Sequence, residues 1–267
     1  MNPLIISAVT GYNFNQIELF IHSALQNTSC DIALIAQQSD HQTRNALSNL
    51  ARIKIFTVED LTDPKDMAQD RFLLARQILN KIQPNKVFLT DSRDVFFQGD
   101  PLWATEAQSN KVVIASEPVK IKNCKINSGW LNSYFGNTVL EKIEENDVLC
   151  VGTLGGPVDS IDQLLESLIN IIRNKQIALK GRPWGLDQAS LNSLIYLEDN
   201  DPKKYTIENN KYGSWLTLYH EKHISINKRG QITNHEGEKA NVIHQYDRFP
   251  WLEKHLRSQL LGLQSRI

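Results

Sequence analysis

The chain has 267 residues, of which 41% are hydrophobic and 22% are charged, and its formal net charge is −1 at pH 7. This is the composition of a globular protein, and the length suits one large α/β domain. A net charge near zero excludes a broad electrostatic attraction to nucleic acid or to an anionic membrane.

Strands and helices alternate in the first half of the chain. The predicted strands are Leu4–Thr10, Asp31–Ala36, Ile53–Val58, Lys86–Thr90 and Val112–Ser116, and the predicted helices are Asn15–Gln26, Arg44–Leu50 and Asp66–Ile82. This alternation predicts a mostly parallel sheet with helices on both faces. Ligands bind beyond the carboxyl ends of such strands, so we expect sites after Thr10, Thr90 and Ser116.

The second half is more mixed. The predicted helices are Ser160–Asn174, Leu186–Tyr196 and Trp251–Leu261, and the predicted short strands are Ile224–Ile226 and Lys239–His244. Gly155-Gly156 predicts a flexible loop bordering a ligand, and the polar segment Glu198–Tyr212 predicts a surface excursion.

Cysteine spacing and apolar runs bear on the compartment. Cys30, Cys124 and Cys150 are widely spaced without a CxxC, so we expect buried thiols in a reducing compartment. The N-terminus lacks a basic n-region, and no apolar stretch approaches the roughly 20 residues that a membrane span needs. These features predict a cytoplasmic protein with no transmembrane segment. Peripheral attachment to the inner membrane through the C-terminal helix is the alternative.

Two carboxylates, Asp91 and Asp94, directly follow the apolar strand Val87-Phe88-Leu89. Clustered carboxylates repel each other unless a cation or an arginine lies between them, and Mn²⁺ or Mg²⁺ completed by substrate phosphates is a common solution. The alternative is an ion pair between Asp91 and Arg93, with Asp94 capping a local turn.

The segment VFLTDSRDVFFQGDPLW resembles the D-x-D region of GT-A glycosyltransferases, especially the glycogenin-like retaining enzymes. Asp94 matches the last, metal-binding acid, and Asp91 matches the first only with one extra residue between them. The resemblance implies a GT-A fold, Rossmann-like with a mostly parallel mixed sheet. It divides a single domain into a nucleotide-binding part, about residues 1–118, and an acceptor and sugar part, about residues 119–267.

Further segments resemble the donor site of that family. Thr10-Gly11-Tyr12 ends the first strand, where the family holds the base and ribose. Arg71 matches the helix arginine that supports donor binding, with Arg76 as the other candidate, and an ion pair with Asp70 or the acidic loop is its alternative role. Residues implied to bind the donor also include Ser92, Asn127, Ser128, Gly129 and Arg248.

Two segments complete the implied catalytic and metal sites. Asp187-Gln188 resembles the family's D-Q-x-x-L-N stretch, whose acid lies beside the reacting sugar. Asp187 could instead be an ordinary carboxylate at a helix N-terminus. His244 matches the histidine that completes the metal site with the two acids, although the family's H-x-x-G-x-x-K-P-W reads H-Q-Y-D-R-F-P-W here. Arg248 replaces the lysine that grips the diphosphate.

The resemblance implies a Mn²⁺- or Mg²⁺-dependent transfer of a sugar from a nucleoside-diphosphate sugar, UDP by expectation, with retention of configuration. The acceptor would be a hydroxyl of a glycan, a lipid-linked compound or a small molecule, bound by variable loops near Val119–Lys125 and Asn200–Trp215. One alternative is a catalytically silent nucleotide-sugar-binding protein on the same fold. The other is a metal-dependent phosphohydrolase of the haloacid-dehalogenase type.

Overall fold

Twelve strands are present in the part of the chain that the computed structural model describes, which is residues 2–61, 63, 66–102, 110–199 and 201–264. They are β1 (Leu4–Ala8), β2 (Asp31–Gln37), β3 (Ile53–Val58), β4 (Lys86–Thr90), β5 (Val95–Phe97), β6 (Val112–Lys120), β7 (Asp147–Pro157), β8 (Tyr205–Glu208), β9 (Trp215–Thr217), β10 (Ser225–Ile226), β11 (Ile232–Thr233) and β12 (Val242–His244). Seven form the central sheet in the order β3-β2-β1-β4-β7-β6-β8. All run in one direction except β7, which is antiparallel to both neighbours. The predicted α/β class with a mostly parallel mixed sheet is confirmed.

Helices flank this sheet. They are α1 (Phe14–Asn27), α2 (His41–Leu47), α3 (Met67–Ile82), α4 (Lys125–Phe135), α5 (Asn137–Ile143), α6 (Val158–Leu179), α7 (Leu186–Ser193) and α8 (Pro250–Gln264). Short helical turns cover Ile121–Asn123, Leu194–Glu198 and Tyr246–Arg248. Among the described residues, none of these helices combines the length and the apolar character that crossing a membrane requires.

Both faces of the central sheet are buried, and successive residues of β1 show this. Leu4 and Ile6 belong to the core formed with α3 and α6, whereas Ile5 belongs to the core formed with α1. Side chains of a strand alternate between faces, so a strand covered on both sides reads as an unbroken apolar run. This is why the first-half strands were predictable from apolar runs alone.

A small second sheet brings the C-terminal part of the chain to the acidic loop. Strand β12 lies between β5, to which it is antiparallel, and β9, to which it is parallel. His244 is paired with Val95, and the Gln245 amide donates to the Asp94 carbonyl at 2.7 Å. This pairing places His244 directly beside the two acids that follow β4.

One prediction for the second half is wrong: Gly155-Gly156 lies in β7 and not in a loop. A side chain at Gly155 would collide with Trp215 and Phe88, which accounts for a glycine at that position. The polar segment Glu198–Tyr212 contains β8, which pairs with β6 at the edge of the sheet. The segment Asn127–Gly129 lies inside α4, and the donor role predicted for it stays a prediction. The expectation of buried free thiols is confirmed for all three cysteines.

Candidate metal site and its cleft

A cleft of about 450 Å³ opens at the carboxyl ends of β1 and β4, where the strand-end rule places a ligand site. The chain reaches it from five directions: residues after β1, the loop after β4, the second half of β6, the middle of β7 and the end of β12. Helices α3, α4 and α7 add further lining residues. Segments distant in sequence therefore meet around one space.

The loop that carries the two acids is fastened on three sides. The Asp91 amide donates to the Gly152 carbonyl of β7 at 3.1 Å. The Ser92 hydroxyl donates to the Ala8 carbonyl of β1 at 2.8 Å. The carbonyl of Asp94 accepts the bond from β12 described above. A loop held by three strands fixes its side chains before any ligand arrives, which lowers the ordering cost of binding.

The side chains of Asp91, Asp94 and His244 could hold a metal ion. The His244 Nε2 atom lies 3.5 Å from Asp91 Oδ2 and 3.6 Å from Asp94 Oδ1, and one ligand atom from each residue lies within 4.8 Å of the other two. Nε2 is buried and has no hydrogen-bond partner. A buried polar atom without a partner is costly, and a metal ion would supply the missing interaction.

The ring of His244 is oriented from behind by Cys150. Its Nδ1 lies 3.3 Å from the Cys150 sulfur, which leaves Nε2 directed at the acids. Burial alone would lower the pKa of His244, but Cys150 and Asp94 raise that pKa above its ordinary value. The same strand supplies Gly152, where a Cβ atom would lie 2.5 Å from Asp91 Oδ2 and 2.8 Å from His244 Cε1. Strand β7 thus orients one ligand and makes room for two.

Arg71 links the metal site to Asp187. Its guanidinium contacts Asp91 and lies 3.3 Å from Asp187 Oδ2. The alternative in which Asp91 pairs with Arg93 is wrong, because Arg93 pairs with Asp247 at 2.7 Å. The other helix candidate, Arg76, is bound by Asp162 and does not line the cleft.

The three acids respond differently to their surroundings. Burial alone would raise the pKa of Asp91, but Arg71 and His244 outweigh it and hold that pKa below the ordinary range. Burial raises the pKa of Asp94 against the opposing effect of His244. Burial likewise raises the pKa of Asp187 in spite of Arg71. Burial thus favours the neutral forms of Asp94 and Asp187, and a cation bound beside them would favour their ionised forms.

Most of the residues predicted for the donor line the cleft. They are Thr10, Tyr12, Arg71, Ser92, Asn127 and Arg248. Gly11, Ser128 and Gly129 are absent from the lining, and the Gly11 amide instead donates to Asp40 at 3.1 Å. On β7, it is Gly152 that brings the backbone close to the acids.

The predicted catalytic pair separates into two roles. Asp187 is buried at the start of α7 and faces Arg71. Gln188 lines the cleft, but its amide is already engaged with β7: Oε1 accepts from the Val151 amide at 2.9 Å, and Nε2 donates to the Leu149 carbonyl at 2.6 Å. Gln188 thus fixes β7 against α7, and the carboxylate of Asp187 remains the group that faces the cleft.

Sequence reasoning missed several lining residues: Glu117, Ile126, Trp130, Cys150, Gly152 and Trp184. Glu117 lies one residue after Ser116, where the strand-end rule predicted a site, so that signal was present in the sequence. Cys150 and Gly152 lie on β7, a strand that was not predicted because its glycines are typical of a loop. None of the described residues in the two predicted acceptor loops, 119–125 and 201–215, lines the cleft.

Fold and site together define an α/β protein with a candidate metal site at the carboxyl ends of its parallel strands. A comparison with protein-family models finds no match for the chain, and a comparison with curated proteins finds no significant relative.

Proposed function

We propose that this protein is a metal-dependent glycosyltransferase that moves a sugar from a nucleoside-diphosphate sugar, with UDP as the nucleotide, to a hydroxyl acceptor. The observation that carries the proposal is the group Asp91, Asp94 and His244, with an unpartnered Nε2 at its centre, in the cleft beside the end of β1. The local match to the glycogenin-like acidic segment agrees with it.

The ligand atoms favour a particular class of cation. Two carboxylates and one imidazole suit Mn²⁺, and Mg²⁺ less well because it prefers oxygen ligands. A protein site of three ligands leaves positions for substrate phosphate oxygens. When bound, the ion would neutralise the charge that develops on a departing diphosphate.

Cleft residues outside the metal group fit the rest of a nucleotide sugar. Tyr12, half-buried after β1, offers an aromatic face to a base. Arg248 brings a cation to the same cleft and can bind diphosphate oxygens. Asp187, held by Arg71, can accept hydrogen bonds from sugar hydroxyls. Retention of configuration rests on the family resemblance and is proposed with it.

The test is a hydrolysis and transfer screen of UDP-glucose, UDP-galactose and UDP-N-acetylglucosamine, with MnCl₂ or with EDTA. We expect Mn²⁺-dependent release of UDP from at least one donor and loss of that release in Asp94→Ala. Glu166→Gln, which changes a carboxylate on the exposed face of α6, is the matched control and should retain the activity.

Melting temperatures with Mn²⁺ and UDP separate the outcomes, because a ligand that binds the folded state raises the melting temperature. If no donor is turned over and no nucleotide raises the melting temperature, the proposal fails. Binding of UDP that requires Mn²⁺ and Asp94, without turnover of any donor, would instead indicate a nucleotide-sugar-binding protein.

A further inference from the structure

One side of the cleft carries no part of the metal group, and among its residues only Asn127 has a predicted role, as a donor contact. It consists of Glu117 in the second half of β6, Ile126, Asn127 and Trp130 of α4, and Trp184 before α7. We call these five residues the aromatic wall. A series of contacts joins two of them: Asn127 donates to the Cys124 sulfur, that sulfur lies 3.5 Å from His220 Nε2, and Nε2 lies 3.5 Å from Glu117 Oε2.

Glu117 and Asn127 are the buried polar residues of the aromatic wall, and we call them its floor. Their hydrogen-bonding groups are not fully satisfied. Glu117 is 5% exposed, and its Oε2 is buried without a hydrogen-bond partner. Asn127 is also buried, and its amide reaches only a sulfur, which is a weak acceptor. A buried carboxyl oxygen that lacks a donor is costly, so the floor is suited to a ligand that brings hydroxyl groups.

The rim of the wall is apolar and exposed. Trp184 is 58% exposed and Ile126 is 45% exposed, although both line the cleft. Large apolar side chains that remain exposed beside a concave site are typical of ligand contacts. The rim is also fixed in place, because the Tyr134 hydroxyl donates to the Trp184 carbonyl at 2.8 Å and Gly185 lies against the Trp130 ring.

Exposed apolar side chains and a buried carboxyl that line the same cleft match a saturated ring with hydroxyls at its edge and C–H groups on its face. We infer that the aromatic wall is the acceptor subsite and that the acceptor is a carbohydrate whose ring packs on Trp184 while a hydroxyl donates to Glu117. A phosphate-bearing acceptor head would meet a carboxyl here, which is unfavourable. The assignment of this carbohydrate as the acceptor rests on the proposed function.

The exposed position of the rim separates the acceptor from the donor sugar. The donor sugar is attached to the diphosphate, so it must lie near the metal group, where Asp187 is buried and Arg71 is half-buried. An acceptor arrives from solvent as a separate molecule and meets the mouth of the cleft first. Trp184, Ile126 and Tyr219 are the described lining residues with exposed large apolar side chains, and the first two belong to the aromatic wall.

The test measures binding and not turnover. Methyl β-D-glucopyranoside, methyl β-D-galactopyranoside and methyl α-D-mannopyranoside are titrated into the full chain saturated with Mn²⁺ and UDP, with saturation-transfer NMR as the readout. Cyclohexanol, which has the ring but not the hydroxyl edge, is the negative probe. We expect at least one glycoside to bind and cyclohexanol to bind at least about tenfold more weakly.

Two wall variants and one matched control locate the binding. Trp184→Ala should weaken glycoside binding about tenfold. Glu117→Gln, which keeps the shape but loses the charge, should weaken it about fivefold. Trp251→Ala removes a tryptophan that is equally accessible, at 50% exposure, but lies on α8 outside the cleft lining. It should leave binding unchanged. Trp184→Ala and Trp251→Ala should retain wild-type binding of Mn²⁺ and UDP, and Glu117→Gln, whose carboxyl acts on His244, should change Mn²⁺ binding less than it changes glycoside binding.

The outcomes are distinct. Glycoside binding that is unchanged in Trp184→Ala and Glu117→Gln would overturn the inference. So would a wild-type chain that binds Mn²⁺ and UDP but none of the glycosides, or that binds cyclohexanol as tightly as it binds them; in these cases the proposed function stands. If glycosides bind through Trp184 but Mn²⁺ and UDP do not bind at all, the proposed function fails and the wall loses its acceptor role.

Discussion

The two sides of the cleft differ in how their buried charged groups are paired. On the metal side, Arg71 joins Asp91 to Asp187, and His244 lies between carboxylates. On the aromatic wall, Glu117 has no hydrogen-bond donor for Oε2. The metal side thus suits a cation that several charges share, whereas the wall suits a neutral group that brings its own hydroxyls. Substitutions on one side should therefore affect ligand binding on that side more than on the other.

The largest expected effect comes from the metal ligand His244. An outer-shell partner of a metal is worth about 10–100-fold in affinity, and a ligand itself is worth more, so we expect His244→Asn to weaken Mn²⁺ binding by at least about 1000-fold. Mn²⁺ titration followed by electron paramagnetic resonance measures this affinity.

His220→Asn is the matched control, since His220 also contacts a buried cysteine but lies beside Glu117. Its Mn²⁺ affinity should equal that of the wild type. Equal losses in the two variants would show that the sides of the cleft are not separable.

The next largest effect is the pH dependence of stability that the buried carboxyl of Glu117 causes. Burial raises the pKa of Glu117 from 4.5 to about 7 in spite of His244. A carboxyl whose folded pKa is raised contributes stability below pH 4.5 that is lost as the pH rises to about 7. One pKa unit corresponds to about 1.4 kcal/mol, so the loss is on the order of 3 kcal/mol.

Glu117→Gln cannot ionise and should therefore be more stable than the wild type at pH 8 and similar to it at pH 4.5. Urea unfolding in EDTA at several pH values measures the difference. Glu166→Gln, on an exposed position, should show no such trend. A stability difference between Glu117→Gln and the wild type that does not vary with pH would contradict the assignment of this pKa.

A smaller effect is expected from the glycine between the metal ligands. In Gly152→Ala the new methyl would lie 2.5 Å from Asp91 Oδ2, so the ligand must move. Overpacking of this kind costs about 1–3 kcal/mol. We expect lower stability and weaker Mn²⁺ binding, measured by thermal unfolding with and without MnCl₂.

Gly129→Ala is the control for this substitution. Gly129 lies inside α4, and a Cβ atom there meets no atom within 4 Å. Alanine should stabilise the helix by up to about 1 kcal/mol. UDP binding that is lost in Gly129→Ala would restore the predicted donor role of that residue.

The two halves of the fold differ in how well their strands could be predicted from the sequence. Strands β1 to β4 are short apolar runs separated by helical patterns, so local preference and packing agree, and their bounds were predicted within about two residues. Strand β7 contains three glycines, which read locally as a loop. Glycine is needed at these positions because side chains from remote segments pack against them, such as Trp215 against Gly155 and His244 against Gly152. No local pattern in the sequence contains that information.

The candidate site divides in the same way. The acids after β4 were visible as two clustered carboxylates, but the metal site that they form with His244 was proposed through a family resemblance, because neither a D-x-x-D nor a single histidine carries a sufficient local signal. The same resemblance placed Asn127-Ser128-Gly129 at the donor, and the structure puts these residues on a helix. A match of three small residues fixes neither backbone conformation nor direction. Asp91 now has geometric support, since its Oδ2 faces His244 despite the unusual spacing.

The smallest expected effect tests whether the orientation of His244 matters. Cys150 contacts Nδ1 and not the acids, so it acts through the ring. Removing an outer-shell partner typically weakens metal binding at least about tenfold, and sulfur is a weak partner, so we expect Cys150→Ala to weaken Mn²⁺ binding about tenfold. Cys150→Ser, which keeps a polar group at that position, should recover part of the loss.

Cys124→Ala is the informative comparison, because Cys124 makes the same type of contact with His220 beside the aromatic wall. It removes an equally buried thiol and should leave Mn²⁺ affinity unchanged. If only a cavity were responsible, Cys150→Ala and Cys150→Ser would lose Mn²⁺ affinity in proportion to the side-chain volume removed. Substitutions at both cysteine sites would then also lower the stability of the protein. A loss of Mn²⁺ affinity that is confined to Cys150 and partly restored by serine would instead show that β7 directs the imidazole, which makes a strand hidden in the sequence part of the metal site.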